Sequence, residues 1–394
     1  MDNRSKVLVS LSELLKKNRA TILYENSVDL AATGDLDPSL TDRLKVDNSK
    51  LSEMSSSLLV TSKKINPDGK LLYMFENSEG LIFKNRSVPF GCILIIYESR
   101  PDVTIEAAAM AFKSGNTILL KGGKEARNTN LKLVELWKSA LIMNGYTGDE
   151  INYLDFTREE TRQFISDKNS GIDLIIPRGG DNLIDFVVKN AACPVIVSGR
   201  GNNFVYLHED ANPDMGMDII IDGKSRISVC NAIDKVLINK SLIEKDKKFT
   251  IQLLQKLSEK GIQVVGDLTA KGFAPSIQII DGEEIMYEEF LSSKVLLSFV
   301  DTLDQAIDTI NKYSGGHSAS VITQDEKVAE KFMHQTDCAA VYHNASTRFT
   351  DGGQVGFGGE MAISTQKLHF RGPIGMDQLV TNKWMIFGKW HIRN

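Results

Sequence analysis

Residues 88–126 read VPFGCILIIYESRPDVTIEAAAMAFKSGNTILLKGGKEA, and this stretch decides the fold. Cys92–Tyr97 (CILIIY) is a short apolar run rich in β-branched residues, the composition of a strand buried on both faces. Pro101 breaks the chain, and Val103–Lys113, alanine-rich in its middle, predicts a helix. Ser114-Gly115-Asn116 ends that helix, and Thr117–Leu120 predicts the next strand. The alternation continues with Asp173–Ile176 as a strand and Asn182–Lys189 as a helix. Val195–Val197 and Phe204–Leu207 supply two further strands. Strands alternating with helices point to a mostly parallel sheet covered on both faces, so the expected class is α/β.

Outward from this region the signals change. The segment up to about Lys63 has helical spacing, with Val7, Leu8, Leu11, Leu14 and Leu15 at steps of three and four. Leu71–Arg86 is strand-like around Gly80. Trp384–Ile392 (WMIFGKWHI) is an apolar, aromatic tail. Such a tail either covers its own domain or adds a strand to a neighbouring subunit, and the sequence leaves both open.

A chain of 394 residues is too long for one ordinary core and suggests two substantial domains. Apolar residues at 42% and charged residues at 25% suit a soluble globular protein. A formal net charge of −5 argues against a nucleic-acid partner, which needs a basic field. It leaves room for a local basic pocket that takes a phosphorylated metabolite. The first residues, MDNRSKVLVSLSELLKKNRA, lack the pattern of a secretory signal, and no run of about 18 apolar residues predicts a membrane span. Cys92, Cys193, Cys230 and Cys338 are too irregularly spaced for a CxxC motif or a disulfide framework. A reducing, cytoplasmic setting is expected. The six histidines form no ligand pair, so no metal is expected.

Cys230 stands in Arg226-Ile227-Ser228-Val229-Cys230-Asn231-Ala232, ahead of a helix expected at Ala232–Leu237. A thiol at a helix N-terminus faces unpaired N–H groups and the positive end of the dipole, which favours the thiolate. The same groups could hold an oxyanion. The pattern alone also fits an inert, buried thiol. Cys92, inside a strand, and Cys338, beside two alanines, read as core. Lys121-Gly122-Gly123 and Arg178-Gly179-Gly180 each follow an expected strand. A glycine turn there lets the backbone approach a phosphate, and the adjacent cation adds attraction. Neither matches GxGxxG or GxxxxGK[ST], and each alone also reads as an ordinary turn. Asn344–Gly375 (NASTRFTDGGQVGFGGEMAISTQKLHFRGPIG) is glycine-rich and irregular, as functional loops often are.

On these segments the chain resembles the γ-glutamyl phosphate reductases, a branch of the aldehyde dehydrogenase superfamily. The stretches that carry the resemblance are Val88–Ala126, DLIIPRGG (Asp173–Gly180), SVCNAI (Ser228–Ile233), NASTRFTDGG and GEMAISTQKLHFRGPIG. YESRP and ISTQK are specific to the branch. The resemblance implies an aldehyde dehydrogenase-like fold of two α/β domains with a small oligomerisation element. The NADP-binding domain would comprise residues 1–70, 89–225 and about 356–380, and the catalytic domain 226–355. Residues 71–88 and 381–394 would form the oligomerisation element of a homo-oligomer.

It also implies Cys230 as the nucleophile, with Ser99 or Arg100 polarising the substrate carbonyl. Lys121, Gly122, Arg178, Gly179 and Gly180 would lie near NADPH or NADP, and Glu289, in EEFLSS, near the nicotinamide ribose. Arg348 and Lys367 would hold the phosphate or the carboxylate of a small acyl phosphate. A glutamate 5-kinase is the implied partner. Two departures stand out: the turn Val197-Ser198-Gly199 lacks the acid of hydrolytic aldehyde dehydrogenases, and Ala362 replaces the more usual glycine. Phosphate rather than water is therefore the expected leaving and accepting group.

Overall fold

The computed structural model describes residues 2–34, 38–227, 229–273, 277–280, 282–357 and 359–393. Ser228 of SVCNAI and Gly358 of the glycine-rich segment lie outside the described residues. The chain divides into two compact units, one of residues 1–197, 356–362 and 374–394, the other of 198–355 and 363–373.

The first unit contains strands β1 (Leu71–Glu76), β2 (Ile82–Pro89), β3 (Cys92–Tyr97), β4 (Thr117–Lys121), β5 (Ile151–Tyr153) and β6 (Leu174–Arg178). The last four make a parallel sheet in the order β5-β4-β3-β6. Leu94 and Ile96 of β3 are buried with Ile175 and Val187, which is why an apolar run without polar alternation folds as a strand here. The helix Val103–Lys113 follows β3 as expected. The N-terminal helix Asn3–Lys17 buries Val7, Leu8, Leu11 and Leu15, and Asp2 caps it by accepting from the Ser5 amide.

Val195–Val197 does not form a strand. Val195 makes one parallel bridge to Ile175, and the ladder stops because the chain passes into the second unit after Val197. Part of the apolar tail pairs within its own chain. Val380–Phe387 pairs antiparallel with β2 from Val380–Pro89 to Phe387–Ile82, completing a three-stranded sheet with β1.

The second unit contains β7 (Asn203–Leu207), β8 (Ile233–Asn239), β9 (Gln263–Gly266), β10 (Gln278–Ile279), β11 (Lys294–Val300), β12 (Ser318–Ile322) and β13 (Ala340–His343). They form a parallel sheet in the order β10-β9-β11-β8-β7-β12-β13. The bounds of the compact units differ from the expected domain bounds at two places. Residues 198–225 fall in this unit rather than the first, because β7 lies between β8 and β12. Residues 363–373, assigned by the sequence to the NADP-binding domain, fall here too. The helix expected at Ala232–Leu237 is instead β8, whose seven residues are all buried. Its charged pair is internal: Lys224 Nζ lies 2.6 Å from Asp234 Oδ1, and Lys235 Nζ donates to the Glu288 carbonyl at 2.7 Å. Among the described residues no helix is long and apolar enough to cross a membrane, and no group of three or more His, Cys, Asp or Glu is placed to hold a metal.

Candidate active site

Cys230 sits in a turn at the amino-terminal edge of β8, so the helix expected to begin behind its thiol is a strand. The turn is pinned from two sides. The Cys230 carbonyl accepts from Asn203 Nδ2 at 2.7 Å. Next along the chain, Asn231 Nδ2 donates to the carbonyls of Arg348 (3.1 Å) and Thr350 (3.0 Å). The Asn231 carbonyl accepts from Thr347 Oγ1 at 2.9 Å, and its Oδ1 accepts from Arg348 Nη1. This clamp binds the 3-10 turn Thr347–Phe349 to the residue after Cys230, which places Arg348 beside the candidate nucleophile. Gly201 packs against the Cys230 backbone so closely that a Cβ there would overlap the carbonyl group.

β8 also fixes Glu289. Lys235 holds the Glu288 carbonyl, and Asp234 Oδ2 accepts the Phe290 amide at 2.8 Å, so the peptide groups on both sides of Glu289 are anchored on the strand that follows Cys230. The Lys235 ammonium lies 3.7 Å from the Phe290 ring centroid, and burial lowers its pKa to about 7. Lys367 is not part of this group: it is exposed and paired with Asp337 at 2.5 Å, a carboxylate it shares with Arg371. These two cations hold Asp337 below the usual carboxylate range.

The three other cysteines are ordinary. Burial pushes the Cys92 and Cys338 thiols up to about 11 and raises Cys193 as well, so none is a ready thiolate. Cys92 is half-buried rather than core.

In the first unit, the candidate residues gather at the carboxyl ends of adjacent parallel strands, where open α/β sheets bind ligands. Ser99 and Arg100 follow β3, Lys121 and Gly122 end β4, and Arg178, Gly179 and Gly180 end β6. Gly180 caps the helix Asp181–Asn190. Lys121 Nζ donates to the Gly122 carbonyl at 2.7 Å, and burial lowers its pKa. Arg100 is half-exposed, 3.7 Å from Asp102.

Two carboxylates missed in the sequence stand among them. Glu98 Oε2 accepts the Gly180 amide at 3.0 Å, and Glu125 Oε1 accepts both the amide (2.8 Å) and the hydroxyl (2.7 Å) of Ser99. The Ser99 hydroxyl therefore gives its proton to Glu125, and Ser99 itself sits at φ +40°, in the left-handed region. A charged residue directly after an apolar strand, as in YESRP, was the signal available for Glu98. Nothing local marked Glu125, Asn203 or Asn231.

The model for the aldehyde dehydrogenase family matches residues 3–278 and 277–385. A γ-glutamyl phosphate reductase of Clostridium perfringens is 42% identical over 389 residues, 98% of this chain and 93% of the relative. One of Clostridium acetobutylicum is 40% identical, covering 100% of this chain and 94% of the relative. The crystal structure of a γ-glutamyl phosphate reductase from Thermotoga maritima superposes with a TM-score of 0.95 at 36% identity, covering 100% and 94% of the two chains. The chain therefore belongs to the aldehyde dehydrogenase family, in its γ-glutamyl phosphate reductase branch.

Proposed function

We propose that this chain reduces L-glutamyl 5-phosphate to L-glutamate 5-semialdehyde, releasing phosphate, with NADPH as reductant and a thioester on Cys230 as intermediate. This is a step of proline biosynthesis. The observation that carries the reading is the pinned Cys230 turn in a chain that matches γ-glutamyl phosphate reductases over nearly its whole length.

The Cys230 thiolate attacks the acyl carbon, a tetrahedral adduct forms, and phosphate departs to leave the thioester. NADPH, when bound, supplies the hydride that reduces this thioester. The resulting thiohemiacetal on Cys230 collapses to free the aldehyde and restore the thiol. Arg348, locked to Asn231, is the cation best placed for the leaving phosphate. Lys367 is left the substrate carboxylate at most, since Asp337 already neutralises it.

The residues at the ends of β4 and β6 fit a dinucleotide in kind. They are side-chain-free turns with no room for a Cβ at Gly122 or Gly179, each beside a cation, and the second opens a helix. Lys121 and Arg178 would hold phosphate by charge, and a phosphate at the Gly180 amide would take that donor over from Glu98. The Ser198-Gly199-Arg200-Gly201 turn holds no acid to activate water, so the thioester is spared hydrolysis.

A cytoplasmic homo-oligomer supplied by a glutamate 5-kinase completes the reading. The test couples glutamate, ATP and a glutamate 5-kinase to NADPH oxidation. Turnover must depend on the kinase and vanish in Cys230→Ala. Run backwards from the semialdehyde and NADP, NADPH formation must require inorganic phosphate. Phosphate-independent production of glutamate at a comparable rate would defeat the assignment.

A further inference from the structure

We propose that Asn203 is the positioning residue of the Cys230 nucleophile, and that Ser318 and His317 fix the direction in which it holds; the inference rests on the role proposed above for Cys230. Asn203 opens β7 and is fully buried. Its Nδ2 converges on three carbonyls, those of Gly201 (2.8 Å), Cys230 (2.7 Å) and Ala232 (2.7 Å). Two hydrogens thus serve three acceptors, one of them the carbonyl of the nucleophile itself. A strand-end asparagine that only satisfied its own ladder would not reach the carbonyl of a turn outside it.

The orientation of the amide is determined, not left to chance. Asn203 Oδ1 accepts from Ser318 Oγ at 2.6 Å. A flipped amide would point Oδ1 at three carbonyl oxygens, which cannot donate. Ser318 in turn lies 3.1 Å from His317 Nδ1. Having given its one proton to Asn203, the Ser318 hydroxyl has only lone pairs for His317, so the imidazole is the Nδ1–H donor. Burial keeps that ring neutral, with a pKa of about 4.

The line His317, Ser318, Asn203, Cys230 therefore runs across the amino ends of three neighbouring strands, β12, β7 and β8. It ends on the peptide group joining Cys230 to Asn231. Gly201 packs against the same backbone and shares the Asn203 donor, so that peptide cannot rotate without breaking the line. The Cys230 Cα, and with it the path of the sulfur to an acyl carbon, is set by a side chain that touches no substrate.

The experiment compares Asn203→Leu, Ser318→Ala, Ser318→Thr and the Asn203→Leu/Ser318→Ala pair in the full chain. It measures kcat, KM for NADPH, the melting temperature and the pH profile of iodoacetamide labelling at the Cys230 peptide. Asn203→Leu should lower kcat by roughly 100-fold, the scale of a 1 Å misplacement, and Ser318→Ala by about tenfold. KM for NADPH should stay within about twofold. The labelling profile should shift in Asn203→Leu and in Ser318→Ala. Ser318→Thr, which keeps the hydroxyl, should restore activity, and the double variant should be no worse than Asn203→Leu. If Asn203→Leu fails to fold, the contrast of Ser318→Ala with Ser318→Thr decides. Folded variants with near-normal kcat and unshifted labelling overturn the proposal, as do losses that multiply in the double variant. Turnover in Cys230→Ala would instead overturn the nucleophile, leaving the labelling profiles to judge the clamp.

Discussion

Gly201→Ala is the sharpest test of how tightly the nucleophile's turn is built. A Cβ at position 201 would stand 2.6 Å from both the Cα and the carbonyl carbon of Cys230, and closer still to its carbonyl oxygen. Ordinary contact begins at 3.4 Å, so the two segments must separate by about 0.8 Å or more. The obstacle is backbone, which cannot swing aside as a side chain would. Gly201 is not among the positive-φ glycines, so alanine brings no conformational penalty of its own and the collision acts alone. Overpacking of this kind costs about 1–3 kcal/mol of stability, which a two-unit protein of this size survives. The catalytic cost is larger: moving a reacting group by nearly 1 Å is worth about 100-fold in rate, or about 2.7 kcal/mol of barrier. The assay is the kinase-coupled oxidation of NADPH, read as kcat, alongside a urea melt and labelling of the Cys230 thiol. A folded Gly201→Ala protein with kcat within about twofold of the parent would refute the claim that the geometry of this turn limits the chemistry.

Asp234→Ala should destabilise the second unit by about 3–5 kcal/mol in urea, because it strands the fully buried Lys224 ammonium; a loss under about 1 kcal/mol would mean that the ion pair is solvated or dispensable. His317 is neutral and buried with a pKa near 4, below its unfolded value near 6.5. Over that range the unfolded state binds the extra proton, so stability is whole above about pH 6.5 and falls towards pH 4. The loss should be up to about 3 kcal/mol, and His317→Gln should flatten the acid limb of a stability–pH curve; an unchanged limb would show that the ring already titrates normally. Finally, Phe75, stacked on Phe83 at 4.7 Å and edge-on to Trp384 at 6.1 Å, lies on an exposed apolar sheet face with Tyr73 and Ile386. Phe75→Glu should shift the mass seen by light scattering towards the monomer, and an unchanged mass would separate this sheet from subunit association.

The sequence was legible where local composition and burial point the same way. CILIIY has no polar member, Pro101 and Ser114-Gly115 bracket an alanine-rich stretch, and strand, helix and strand follow in that order. Around Cys230 the local signal misleads. IDKVLI carries two adjacent charges, which on a surface helix would face water. Here their partners come from elsewhere in the chain: Lys224 for Asp234, and the Glu288 carbonyl and Phe290 ring for Lys235. No periodicity reveals partners at that distance, so a central strand read as a helix. The error matters for chemistry, since it removes the dipole invoked to favour the thiolate and transfers the task of holding Cys230 to Gly201, Asn203 and Asn231, none of which looked catalytic. It also separates the two halves of the candidate machinery by a general rule. The glycine turns at β4 and β6 lie at the carboxyl ends of parallel strands, where α/β sheets ordinarily bind ligands, and were found by that rule. Cys230 lies at the amino end of β8, where the rule gives no guidance. The SVCNAI motif singled out Cys230 in the sequence, whereas the residues that hold its turn, Gly201, Asn203 and Asn231, are found only by their contacts.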